Sequence, residues 1–159
     1  MKTKTLLKLA DVLENFQVER ANLVLPTIEK FNLEHWVSIK DEVVTHVCGV
    51  GVAALHPYFR ARGFGFTENW RPTYLNNRNW GAVENFFGLT KEQARYLFSV
   101  NQYKNNPSPV IVANRIRLTV NKAVSPPPWW SVFSWWSIRL GVCAPAAYIL
   151  IYMGVHVIK

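Results

Sequence analysis

Arg60, Arg62, Arg71 and Arg78 stand among Phe59, Phe64, Phe66, Trp70, Tyr74 and Trp80 over residues 59–80. Aromatic rings beside guanidinium groups do one of two jobs. They stack on unpaired bases while the cations meet phosphate, or they anchor a protein interface, where Trp, Tyr and Arg are the favoured hot-spot residues. Arg60, Arg62, Phe64, Phe66, Trp70, Arg71 and Arg78 are therefore the candidate partner-binding residues. The same composition also suits a solvated loop resting on a core. Arg62-Gly-Phe-Gly-Phe66 matches the opening of an RNA-recognition signature, but Thr67, Glu68 and Asn69 break the match. The segment before it reads as helix, where that signature needs a strand, so the match is read as coincidence.

His46, Cys48 and His56 form the only His/Cys cluster. Closed zinc sites use four ligands, and no fourth is at hand, because Cys143 lies in the tail and His35 is remote in sequence. If residues 47–55 are helical, Cys48 and His56 stand about 12 Å apart along the axis, too far for one ion. A nucleophilic cysteine would need an orienting acid and an anion-stabilising site, and neither can be named. No paired carboxylates, phosphate-cradling glycine loop or Ser/His/Asp set stands out, and Gly49-Val-Gly51 lacks the third glycine of a dinucleotide site. The reading is no catalytic residue, no metal and no cofactor, and a protein that is not an enzyme.

The elements that must position these residues are mostly helical in pattern. Leu6, Leu9, Ala10, Leu13 and Phe16 recur at helical spacing. Phe31, Leu33 and Trp36 suit a short segment docked on the core. Residues 47–55 carry Gly49, Gly51, Ala53 and Ala54, which let a neighbouring helix approach closely; their β-branched valines make a buried strand the competing reading. Pro57 suits a first helical position and Gly63 its end. Residues 63–80, rich in Gly, Asn and Pro, read as a loop. A helix over 82–87 ends at Gly88, and Thr90 with Gln93 has capping-box spacing for the next. Ser108 and Pro109 open a last helix whose apolar side is Val112, Ala113, Ile116 and Val120.

Charge separates this head from the tail. The formal net charge is +8, and residues 1–125 hold sixteen of the eighteen Lys and Arg and all ten acids. A basic balance points to nucleic acid, anionic lipid or an acidic partner protein. Arg115, Arg117 and Lys122 lie together on the last head helix with no acid between them. Two cysteines in different segments make no disulfide framework, which suits a reducing compartment. Asp11 and Glu14 interrupt the first apolar stretch, so no signal-peptide core is expected.

After Ser125-Pro-Pro-Pro128, a stiff linker, residues 129–158 carry one formal charge, Arg139. Residues 140–158 would make a helix of about 28 Å, near the hydrocarbon thickness of a bilayer. Trp129, Trp130, Trp135 and Trp136 precede it where an interfacial belt would sit. These four and Arg139 are the expected membrane-interface residues. The distribution of Lys and Arg places the head on the cytoplasmic side of the inner membrane. The alternative is a tail buried in a partner, as in a virion or another large assembly.

The stretches LLKLADVLE, FNLEHW, CGVGVAALHPYFRARGF, NWGAVENFFGLTKEQARYLFS and PSPVIVANRIR cover most of residues 4–118 in order and spacing. In this combination the head resembles a family of small, mostly uncharacterised bacteriophage and bacterial proteins. The resemblance implies an all-helical fold and a phage-like origin, and adds no catalytic residue. The combined expectation is an all-α chain: a basic helical head at 1–124, a Pro-rich linker at 125–128 and a hydrophobic tail at 129–159 serving as membrane anchor. The expected function is that of a membrane-tethered accessory or assembly protein acting by protein–protein contact. The rival is a nucleic-acid-binding regulator or inhibitor using residues 59–80.

Overall fold

Helix α1, Thr3–Glu14, follows its apolar spacing: Leu6, Leu9, Ala10, Val12 and Leu13 are buried, and Phe16 continues the stripe in the short α2, Phe16–Glu19. Its start is tied down where the Lys2 N–H donates to the Phe87 carbonyl at 2.7 Å. The computed structural model describes residues 1–25, 28, 30–40 and 43–124. Residues 1–122 form one compact unit.

The all-α expectation is corrected here: two three-stranded sheets accompany the helices. In the first, β3 (Val43–Val47) is central. It pairs parallel with β1 (Lys30–Phe31) and antiparallel with β2 (Val37–Lys40), in the order β1-β3-β2. The β-branched valines that made a strand the competing reading are divided between two elements. Val43, Val44 and Val47 lie in β3, whereas Val50 and Val52 lie in α3, Gly49–Leu55. Cys48 marks the change, its Sγ accepting from the Gly51 N–H at 3.3 Å as the helix N-cap. Every residue of α3 is buried, and it touches α1 and β3, as a central helix of small residues allows.

The second correction is residues 63–80, where strands replace the expected loop. After α4, Pro57–Arg60, Gly63 turns the chain at φ +84°. Then β4 (Gly65–Phe66), β5 (Pro72–Tyr74) and β6 (Asn77–Arg78) pair antiparallel in sequence order. Strands of two or three residues are too short to show a period-two pattern. This small sheet packs on α5, Asn79–Phe87. Phe59, Phe64, Phe86, Phe87 and Phe98 form a buried aromatic cluster, with Phe64 stacked on Phe86 at 4.5 Å.

Helix α5 ends at Gly88 in the left-handed conformation, and α6, Lys91–Phe98, opens with the complete Thr90/Gln93 capping box. Helix α7, Pro109–Val124, buries Val112, Ala113, Ile116 and Val120. Its cations have specific duties. Arg117 pairs with Asp11 and Glu14 of α1. Arg115 lies between Tyr96 and Tyr103, 4.8 and 3.5 Å from the ring centres, and donates to the Tyr96 and Gln102 carbonyls.

The inner-membrane placement is also corrected. Among the described residues no helix is long and apolar enough to cross a membrane. The linker at 125–128 and the span expected at 129–159, with Trp129, Trp130, Trp135, Trp136 and Arg139, lie outside the described residues. The placement rested on that segment alone and is not carried further.

Candidate functional site

A groove of about 830 Å³ opens where β2, the turn before β5, the start of α5 and the end of α6 meet. Trp36, Val37 and Ile39 form one wall, Trp70 and Arg71 another, and Asn79 and Trp80 a third. Leu33, Phe98 and Val100 add apolar surface. Glu34, His35, Asn69, Ser99 and Asn101 supply polar groups. Trp36 and Trp80 meet edge to face with ring centres 4.8 Å apart, and Phe66 braces Trp70 at 5.7 Å. The guanidinium of Arg95 sits 4.1 Å from the Trp80 ring centre, completing a cation–π contact behind it.

Of the three left-handed non-glycine residues among the described residues, two line the groove, and the third, Leu75 at φ 52°, lies in the turn between β5 and β6. Trp70 and Asn79 both line the groove and both have φ of 55°. Asn tolerates the left-handed region, whereas a bulky residue there is an outlier. Such a conformation costs of order 1–3 kcal/mol and persists only where its surroundings fix it. At Trp70 a tight turn does so. The Trp70 N–H donates to the Thr67 carbonyl at 3.0 Å, the Thr67 N–H to the Arg71 carbonyl at 2.9 Å, and the Arg71 N–H to Thr67 Oγ1 at 3.2 Å. Trp36 is held from the other side, its carbonyl accepting from the Cys48 N–H at 3.2 Å.

The residues expected to act together from sequence divide into separate places. Trp70 and Arg71 line the groove, and Phe66 supports it from behind. Phe64 is buried in the aromatic cluster and is core. Arg62 lies on the Tyr58 ring, 3.6 Å from its centre, and donates to the Tyr58 carbonyl. Arg60 and Arg78 are exposed and are not part of the groove lining. Sequence reasoning missed Trp36, Trp80 and Asn79 as site residues. Both tryptophans are visible in the sequence, but nothing local says that residues so distant in it line one groove.

His46, Cys48 and His56 are likewise engaged one by one. His46 Nδ1 lies 2.9 Å from Thr45 Oγ1. Burial pushes the Cys48 thiol up to about 11, against stabilising backbone N–H contacts, so it stays protonated at neutral pH. His56 is 7% exposed, caps α4 by accepting from the Tyr58 N–H at 3.1 Å, and lies 3.5 Å from Glu19. Among the described residues no group of three or more His, Cys, Asp or Glu is placed to hold a metal ion.

His56 gives a pH prediction. Desolvation lowers its pKa below the ordinary 6.5, outweighing the contrary pull of Glu19. The unfolded chain therefore binds a proton that the folded chain resists. This contribution to stability is complete above 6.5 and is lost as pH falls from there through the folded value. Glu19, held low chiefly by the Asn22 side chain, adds a loss in the same direction at lower pH. Urea midpoints measured across this range should fall with acid, and His56→Gln should flatten the first part of the decline. A midpoint that rises with acid would contradict this assignment.

Comparison with known proteins returned no matching family model, no similar curated protein and no similar solved structure. The phage origin drawn from the resemblance has no support in these findings and is not carried further.

Proposed function

We propose that this unit is a protein-recognition module: it acts by contact, without chemistry of its own, and receives a segment of a partner chain in the tryptophan groove. The observation that carries the reading is the coincidence of three tryptophans with two left-handed residues around one cavity. Rigid aromatic anchors contribute most at interfaces when they are held in place before binding, and here the strained Trp70 turn and the Arg95–Trp80 contact hold them. The volume of about 830 Å³ is in the range of binding clefts. Arg71 adds a charge at the wall, and among the described residues it has no carboxylate partner.

Selection of short peptides from a displayed random library on the full chain tests this. The expected result is a shared motif whose binding weakens about tenfold or more on Trp80→Ala, the size of a hot-spot loss, with the fold intact by circular dichroism. The reading fails if no peptide is enriched. It fails equally if the chain instead retains single-stranded DNA in a salt-sensitive manner that is lost on changing Arg60, Arg62 and Arg71 together to alanine.

A further inference from the structure

We infer that the partner segment binds as an added β-strand along the outer edge of β2, with an acidic residue placed against Arg71; this rests on the recognition reading above. In the order β1-β3-β2, β2 is an outer strand, so among the described residues one side of its backbone is not paired within the sheet. The register identifies which groups face that side. The Trp36 carbonyl accepts from the Cys48 N–H, and Val37 stands opposite Val47 and Ser38 opposite His46. In an antiparallel ladder, residues alternate between facing the partner strand and facing away. Trp36 faces β3, so Val37 turns its N–H and C=O outward. Val37 and Ile39 also line the groove, and Ile39 is 46% exposed. An open backbone edge and the tryptophan cavity are therefore adjacent parts of one surface.

That adjacency selects the ligand chemistry. A donor and an acceptor on one residue of a strand edge are matched by an extended polypeptide, which presents the same pair at strand spacing and sends alternate side chains to one face. A nucleic-acid strand has no such repeat. The bulge after Ser38 limits the added ladder to a short one, so the side chain entering among Trp36, Trp70 and Trp80 must carry much of the affinity. Charge sets the remaining preference. The groove lining holds one carboxylate, Glu34, and one guanidinium, Arg71; on a chain of +8 overall, Arg71, which has no carboxylate in an ion pair among the described residues, calls for one from the ligand.

The test uses the full chain and the tightest peptide obtained by library selection. N-methylation along that peptide removes one main-chain donor at a time. The expected result is loss of binding by about tenfold at the position that meets the Val37 carbonyl, tolerance at its neighbours, and slower amide exchange at Val37 in the complex. Changing the peptide's acidic residue to its amide should weaken binding to the native chain but hardly to Arg71→Gln. Uniform tolerance of N-methylation with unchanged Val37 exchange would overturn strand addition, while binding still lost on Trp80→Ala would leave the groove reading standing. Enriched peptides without an acidic residue would overturn the charge assignment. Absence of any enriched peptide would remove both readings together.

Discussion

Gly51→Ala is expected to destabilise the unit by about 3 kcal/mol or more, at or beyond the upper end for overpacking. Helix propensity alone predicts the opposite, because replacing glycine by alanine inside a helix normally gains about 0.5–1 kcal/mol. Space decides the sign. A Cβ on Gly51 would stand 2.2 Å from the Trp36 carbonyl oxygen and 3.3 Å from the Val47 Cβ. The first is a backbone atom that also accepts the Cys48 N–H, so relief would mean moving β2 off α3. Gly81 in α5 is the matched control: among the described residues its Cβ would meet only Asn77, at 3.8 Å and beyond. Gly81→Ala should therefore be neutral or stabilising. Equilibrium urea unfolding of both variants checks the pair, and a Gly51→Ala chain as stable as the native one would contradict the packing described.

Phe87→Ala is expected to cost about 3–5 kcal/mol, the range for deleting a buried aromatic side chain. Phe87 is fully buried at the end of α5, with ring centres of Phe86, Phe64, Phe98 and Phe59 between 4.9 and 6.3 Å away. These rings come from α4, the segment before β4, α5 and α6, so no single neighbour can collapse into the space. Phe87→Leu keeps most of the volume and should lose less. A domain of this size has only about 5–15 kcal/mol in total, so the alanine variant should unfold at markedly lower denaturant. An alanine variant within about 1 kcal/mol of the native chain would contradict the cluster's role.

The features legible in the sequence and those hidden from it divide along one physical line. Helix ends are local: Thr90 with Gln93, Gly88, and Ser108 with Pro109 satisfy backbone groups a few residues away, and each stands where its spacing places it. Strand pairing is not local. β1 has two residues, β4 two and β6 two, and their partners are set by tertiary packing rather than alternation. The valine run at 43–52 held both signals, and the capping cysteine at its middle separated strand from helix. The Arg/aromatic segment was recognised as unusual, yet its residues serve the core, a local stacking contact and the groove separately. Arg117, placed on a basic face by sequence, balances two acids of α1. The groove itself was not legible, because Trp36 and Trp80 are far apart in sequence and meet only through tertiary packing.

Occupation of the space between Trp36, Trp70 and Trp80 by a partner's chain segment can be read at the tryptophans themselves. Heteronuclear NMR of the indole N–H resonances, during titration of the full chain with a selected peptide, reports on all three at once. The resonances of Trp36, Trp70 and Trp80 should shift together along one saturation curve. Saturable peptide binding that leaves all three unmoved would contradict a partner segment in the groove.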